Sequence, residues 1–391
     1  MKISEINTVC FIGAGTMGCV NAVTAGLAGY KVVLYDVSRS CLESAPNRLK
    51  ELADYIVQQG LCPRAIIDHV MNEIELTTDL VSAISKADLV SESVYENLQL
   101  KREVHAQLDK LCLGRTILTT NTSTLLVSDI EDVVSDSRGA IFAALHSHMG
   151  SPLIDIVGGP RTTKDTIDVL HRYVLSLNGE PLVLKKESPG YVLNAMLGSV
   201  LATAMLMHHG GMATKENVDR AWINQMDVAI GPFGLMDLFG LNVIFDSWQH
   251  PKPTSEYSTN KPKIMALMMP YIERGELGVK SGKGFYDYPN PAYEMPGFGV
   301  ADGGNLERNF ALLSSALING AVLLAANGVA TPDAIERAWK VSMGTEHGPF
   351  EILQRLGGEA YLARLDVQIK EGWFGYELWV NVEAYINKFI V

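Results

Sequence analysis

The stretch TVCFIGAGTMG, residues 8–18, decides how the first half of the chain is read. Its first five residues, TVCFI, are the short apolar run expected of a buried parallel strand. Gly13, Gly15 and Gly18 follow in G-x-G-x-x-G spacing, and CVNAVTAGLAGY continues as a helical stretch. The next apolar run, KVVLY at 31–35, ends on Asp36, eighteen residues past Gly18. Three glycines alone are a weak signal. Set between strand and helix, with an acid at the end of the next strand, they form a dinucleotide-binding pattern. Gly13 allows the tight turn, Gly15 lets a pyrophosphate approach the backbone, and Gly18 lets helix pack on strand. Thr16 and Met17 open the helix whose N-terminus would meet the phosphate charge. A carboxylate at Asp36 can accept hydrogen bonds from both ribose hydroxyls and would repel a 2′-phosphate. NAD is therefore the expected cofactor, with Arg39 the nearby cation that could accommodate NADP instead.

Outward from this unit, residues 40–71 read as two helices around Gln59-Gly60, an insertion into the simple alternation. Strand-like segments return at 74–78, 87–94, 116–123 and 139–146 with helical stretches between them. The pattern is α/β, an N-terminal Rossmann-type domain with a helical-hairpin insertion. From Ser188-Pro189 onward helical patterns take over.

The chain has 391 residues, 47% hydrophobic and 19% charged, enough for two or three cores. A formal net charge of −12 argues against nucleic acid or an anionic membrane as main partner. Cys10, Cys19, Cys41, Cys62 and Cys112 show neither CxxC pairing nor zinc spacing, which suits a reduced, cytoplasmic protein. The N-terminus runs straight into the strand-turn pattern, so no targeting peptide is expected. No apolar run is read as long enough to span a membrane.

The helical half contains an internal repeat. GGMATKENVDRAWINQM…GPFGLMDLFG at 210–240 matches NGVATPDAIERAWKVSM…GPFEILQRLG at 327–357 with a constant offset of 117 and no gaps. Thr214/Thr331, Arg220/Arg337, Trp222/Trp339 and both GPF triplets coincide. The expectation is an all-α domain made of two repeated units. The recurring tryptophans read as packing. Asn194, whose equivalent is Ala311, is kept in one copy only and is a candidate for chemistry.

ALHSHMGSPLIDIVGG, residues 144–159, holds His146, His148 and Asp155. His146 reads as a general base oriented by Asp155, as half of a metal site with His148, or as a strand-end residue. Imidazole suits removal of a hydroxyl proton during hydride transfer, since its pKa lies near neutrality. Hydride transfer needs no metal, and none is expected.

Taken in order, GAGTMG, the insertion, SVYENLQLK at 93–101, NTST at 121–124, FAALH at 142–146, PGYVLNAM at 189–196, GPFGLMDLFGL at 231–241 and GVKSGKGFYDY at 278–288 resemble the 3-hydroxyacyl-CoA dehydrogenase family. The resemblance covers nearly the whole chain. It implies NAD-dependent interconversion of an L-3-hydroxyacyl-CoA, or a close 3-hydroxy acyl compound, and its 3-keto form. By that resemblance His146 is the base, Ser123 and Asn194 hold the reacting oxygen, and Glu96 and Lys101 lie near the nicotinamide ribose. The loop after the histidine departs from the family. Met149-Gly150 stands where the family has Asn-Pro, and Asp155 lies nine residues on where the family has a glutamate at twelve.

Two other functions remain in view: a dehydrogenase of a non-CoA 3-hydroxy acid, carnitine- or sugar-acid-like, and an NAD-binding sensor or structural protein without catalysis. In the insertion, Arg48, Lys50 and Arg64 read either as CoA-phosphate contacts or as a solvated face. The expected division is 1–187 for the NAD-binding domain, with helical units at 188–295 and 296–391. Because shorter family members dimerise through one helical unit, the second copy makes a monomer possible beside a homodimer.

Overall fold

In the computed structural model, which describes residues 6–249, 260–300 and 304–389, the run Thr8–Ile12 is strand β1, with four of its five residues buried. Helix α1 (Thr16–Leu27) follows the glycine turn, and β2 (Lys31–Tyr35) pairs parallel to β1. The insertion is a pair of helices, α2 (Arg39–Gln58) and α3 (Arg64–Glu73). The chain then builds β3 (Glu75–Thr77), α4 (Leu80–Ile84), β4 (Leu89–Glu92), α5 (Leu98–Leu111) and β5 (Ile117–Thr120). Short helices α6 (Val127–Glu131) and α7 (Asp136–Gly139) lead to β6 (Phe142–Ser147), β7 (Leu153–Gly158), α8 (Lys164–Ser176) and β8 (Glu180–Val183). The eight strands form one sheet in the order β3-β2-β1-β4-β5-β6-β7-β8. Every residue of β4 and β5 is buried, because helices cover both faces.

Two strands go beyond the sequence reading. β7 runs antiparallel to β6, and β8 pairs parallel to β7. LIDIVG carries an acid at its centre and EPLV a proline, so neither shows a clean strand pattern. The strands expected at 8–12 and 31–35 have those bounds, and the other expected strands are present but shorter, the 87–94 window shrinking to Leu89–Glu92.

Contacts divide the chain into two compact units, Met1–Tyr191 and Val192–Val391. The second unit is helical among its described residues: α9 (Leu193–His209), α10 (Lys215–Met226), α11 (Pro232–Phe239), α12 (Leu241–Gln249), α13 (Lys261–Glu273), α14 (Leu306–Ala326), α15 (Pro332–Met343), α16 (Pro349–Leu356), α17 (Gly358–Lys370) and α18 (Tyr376–Phe389). Both ends of α10 and α11 are separated from those of α15 and α16 by the same 117 residues found in the sequence. Thr214 and Thr331 each cap the following helix through their hydroxyls. Asp219 accepts the backbone N–H groups of Phe233 and Gly234, and Glu336 accepts those of Phe350 and Glu351. A Cβ on Gly231 or Gly348 would collide with the corresponding acid. The GPF triplets are thus fixed by a carboxylate fastening the start of the next helix. Trp222 and Trp339 meet edge to face with centroids 6.1 Å apart.

α14 corrects the reading that no segment reaches membrane length. It is long and apolar enough to cross a bilayer, but 72% of its most apolar window is buried inside the unit, where it packs on α9, α10, α16 and α18. Its apolarity comes from lying at the centre of a helical core. The five cysteines are all free, and residues 1–5, part of the segment read for a targeting peptide, lie outside the described residues.

Truncating one of the paired tryptophans removes the largest side chain of this core. Trp222→Ala should cost about 3–5 kcal/mol, read as a lower urea midpoint for loss of helical signal.

Candidate active site

The carboxyl ends of β1, β2, β4, β5 and β6 share one edge of the sheet, since these strands are parallel. The order reverses on either side of β1, and such a switch point opens a crevice for a ligand. At this edge Gly13 has φ +104°, and a Cβ there would lie 2.7 Å from the Ser93 carbonyl oxygen. A Cβ on Gly18 would meet the Gly13 carbonyl. Gly15, in contrast, faces open space. It is the N-cap of α1 and brings no side-chain acceptor, and the first turn, which includes Thr16 and Met17, holds no acid. The helix N–H groups are left for an anion. Asp36 accepts from Ala14 N through Oδ2 and from Ser38 N through Oδ1, each at 2.8 Å. Each oxygen keeps a lone pair for a ribose hydroxyl. The residues present fit NAD. Arg39 is exposed at the start of α2.

Behind this edge lies a buried ionic network. Glu92 and Lys101 have no exposed side-chain surface and pair at 2.7 Å. Glu92 also accepts Val94 N at 2.7 Å and the Thr120 hydroxyl at 2.7 Å, and it faces His105 Nε2 at 3.3 Å. Burial works to raise the Glu92 carboxyl, but the His105 hydrogen bond and the Lys101 charge outweigh it and hold it down at about 2. Lys101 reaches Glu96 at 3.4 Å. One oxygen of Glu96 accepts from the Thr122 hydroxyl, Ser123 N, Thr124 N and the Thr124 hydroxyl, at 2.5–3.1 Å. Burial opposes ionisation of Glu96, while Lys101 and these donors bring its carboxyl below the usual range. Glu96 therefore shapes the NTST loop that carries Ser123, and Lys101 acts through Glu96 with no surface of its own. Asn121 ties this loop to the next strand by accepting Ser147 N at 3.1 Å.

His146 and Asp155 are directly opposed in the β6–β7 ladder. His146 Nδ1 lies 3.0 Å from Asp155 Oδ2, and His148 Nε2 lies 2.8 Å from the same oxygen. Asp155 is fully buried, and its Oδ1 has no hydrogen-bond partner. The imidazoles stack edge to face at 4.4 Å, with the Tyr191 ring 5.5 Å from His146. Burial, then the charge of His148, lowers the His146 pKa against the pull of Asp155. Burial raises the Asp155 carboxyl, but the two imidazoles together bring it below the ordinary range. The His146, His148 and Asp155 donor atoms lie within 4.8 Å of one another, a set that could ligate a metal ion. Their N···O separations are hydrogen-bond lengths.

Sequence reasoning gave His148 too small a part. Its signal was the i, i+2 spacing to His146 on a strand. His105 and Tyr191 were not singled out, and Tyr191 lies within the PGY turn already quoted. Asn194 belongs to the second unit, half-buried in the first turn of α9. Of the basic residues of the insertion, Arg48 is tied into the fold, whereas Lys50 and Arg64 make only exposed pairs. Arg48 donates to the carbonyls of Ala14 and Cys41, while Lys50 and Arg64 both pair with Asp54.

A family model described as 3-hydroxyacyl-CoA dehydrogenase, NAD binding domain, matches residues 8–188, and one described as 3-hydroxyacyl-CoA dehydrogenase, C-terminal domain, matches residues 190–288. The mitochondrial hydroxyacyl-coenzyme A dehydrogenase of Rattus norvegicus is 31% identical over 294 residues, 72% of this chain and 91% of its own. A solved diketoreductase, described as catalysing reactions of dicarbonyl compounds, is 30% identical, with TM-score 0.66 over 72% of this chain and 99% of its own. A solved 3-hydroxybutyryl-CoA dehydrogenase from Escherichia coli shares the fold over 98% of this chain and 99% of its own, with TM-score 0.78 at 21% identity.

Glu92→Gln would remove the nearer, fully buried counter-charge of Lys101 and leave only Glu96 at 3.4 Å, at a cost of about 3 kcal/mol. The folded-state depression of Glu92 contributes stability that is present above the ordinary carboxylate pKa and lost as pH falls toward 2. Urea unfolding at pH 7 and pH 3 should show a smaller acid-induced loss in the variant than in the wild type.

Proposed function

The chain belongs to the 3-hydroxyacyl-CoA dehydrogenase family, and we propose that it interconverts an L-3-hydroxyacyl-CoA and its 3-keto thioester with NAD as cofactor and His146 as base. The observation that carries the assignment of the base is the 3.0 Å contact of His146 Nδ1 with Asp155. With Nδ1–H donated to the carboxylate, Nε2 carries the free lone pair. Bound NAD supplies the hydride acceptor for the oxidation. His146 Nε2 takes the proton of the substrate hydroxyl. Asp155 fixes the tautomer and offsets the charge of the imidazolium that forms. Ser123, whose backbone N–H is held by Glu96, presents its hydroxyl to the reacting oxygen, and the family resemblance gives Asn194 the same task. The glycine turn and Asp36 hold the pyrophosphate and the ribose. Glu96 and Lys101 maintain the loop beside the nicotinamide ribose.

A second reading has the same chemistry on a 3-keto compound without CoA. It is favoured by the engagement of Arg48 within the protein and by the likeness to a diketoreductase. Substrates of this reading include free 3-hydroxy acids.

The 117-residue correspondence of helices, caps and carboxylate fasteners supports a duplicated helical half, with units at 188–295 and 296–391. The Trp222–Trp339 contact supports packing of one copy on the other within a single chain, which fits a monomer. The free thiols suit the cytoplasm.

NADH consumption with acetoacetyl-CoA, free acetoacetate and dehydrocarnitine tests both readings. The thioester should turn over, and His146→Ala should lose about 10²–10⁴ of the rate with NADH affinity retained. Near wild-type turnover by that variant would remove His146 from the mechanism. Turnover of a free acid alone would establish the second reading. His148→Phe removes a charge that lowers the His146 pKa. In the oxidation direction the base works only above its pKa, so the acid limb of kcat/KM should move to higher pH in this variant.

A further inference from the structure

A cavity of about 580 Å³ opens in the second unit, lined from α14, α16 and α17. Phe310, Ala311, Ile352 and Leu356 give it an apolar wall, each of them only partly buried. Three guanidinium groups line it, Arg308, Arg355 and Arg364, against one carboxylate, Glu307. This excess of positive charge is local, since the chain as a whole carries −12.

The three arginines are not equally committed. Arg308 pairs with Glu371 at 3.2 Å, and Arg355 pairs with Glu351 and faces His347. Both arginines are more than half exposed, 52% and 59%, and exposed pairs of this kind are weak enough to yield to a better placed anion. Arg364 has no hydrogen-bond or ion-pair partner among the described residues. It is partly buried, and that burial pulls its pKa down, with Glu307 too weak a counter-charge to restore it. A desolvated guanidinium with five N–H donors and no acceptor is a strong place for a carboxylate or phosphate oxygen.

The position of the cavity adds a second reason. Ala311 stands 117 residues after Asn194, and α16 stands in the same relation to α11. The cavity therefore opens at the place in the second copy that corresponds to the Asn194 face of the first. There the amide side chain is lost, the apolar character is kept at Phe310 (Leu193 in the first copy) and Ile352 (Leu235), and Arg355 replaces Leu238.

We propose that the second helical copy holds a binding site for a small organic anion, a carboxylate or phosphate ester on a short apolar segment. The charged end sits on Arg364, between Arg308 and Arg355, and the apolar segment lies over Phe310 and Ala311. The site needs no part of the His146 chemistry, so it stands or falls separately from the reaction.

The test is isothermal titration of the full chain with butyrate, butyl phosphate and inorganic phosphate. Butyrate or butyl phosphate should bind the wild type, whichever binds more tightly naming the head group, and inorganic phosphate should bind more weakly than butyl phosphate. Arg364→Gln should lose the charge-assisted bonds and about tenfold in affinity. Ala311→Trp, which keeps every arginine and fills the cavity, should also abolish binding. Both variants should keep wild-type NADH turnover without the anion. Absence of binding by the wild type at about 10 mM would overturn the proposal, as would unchanged affinity in either folded variant. Equal affinity for inorganic and butyl phosphate would overturn the apolar part of the site.

Discussion

Glu92 is a carboxylate with no exposed surface, and the order of the first unit's site depends on it. It sits at the end of β4 and gathers Lys101 and His105 from α5 and Thr120 from β5. A buried charge is tolerated only when paired and hydrogen-bonded. Here the requirement extends outward in steps. Lys101 is held by Glu92 and reaches Glu96, and Glu96 uses one oxygen to draw in the backbone and hydroxyls of Thr122, Ser123 and Thr124. The loop that carries Ser123 is thus organised from a buried ion pair. His105 also packs its ring edge to face on Phe142, the first residue of the strand that carries His146. One network therefore orients both the serine loop and the histidine strand.

The glycine turn was legible in the sequence because its constraints are local. The turn, the helix start and Asp36 lie within one βαβ segment, and each follows from the geometry of a few neighbours. The Glu92 network was not legible from the residues themselves, because its members come from three elements and resemble ordinary surface residues; Glu96 and Lys101 were marked only by the family resemblance. SVYENLQLK gives no sign that its lysine is buried and its glutamate ties a loop twenty-six residues away. β7 was hidden for a related reason. An aspartate inside a short apolar run breaks the strand pattern, and only pairing with β6 supplies the two imidazoles that make its burial tolerable.

The repeat was legible as an offset, but its physical content was not. Asp219 and Glu336 are different acids in the aligned sequences, yet both fasten the GPF segment by accepting two backbone N–H groups. The glycine before each proline is small because the acid occupies the space of a Cβ. Trp222 and Trp339 are equivalent residues that touch each other. α10 packs on α14, and α15 packs on α9.

The shortened loop after His146 raised the question of whether a shorter acid could still reach its imidazole. The ladder answers it. In an antiparallel pair, directly opposed residues project to the same face with Cβ atoms about 4.5–5.5 Å apart. His146 and Asp155 are such a pair, so an aspartate needs no longer reach to lie 3.0 Å from Nδ1. The tight turn has a second consequence. His148, just past the end of β6, comes close enough to share Asp155 Oδ2. Two imidazoles on one buried oxygen cannot both become cations cheaply, because each charge raises the cost of the other in a medium poor in water. The same arrangement therefore holds His146 in place and opposes its protonation.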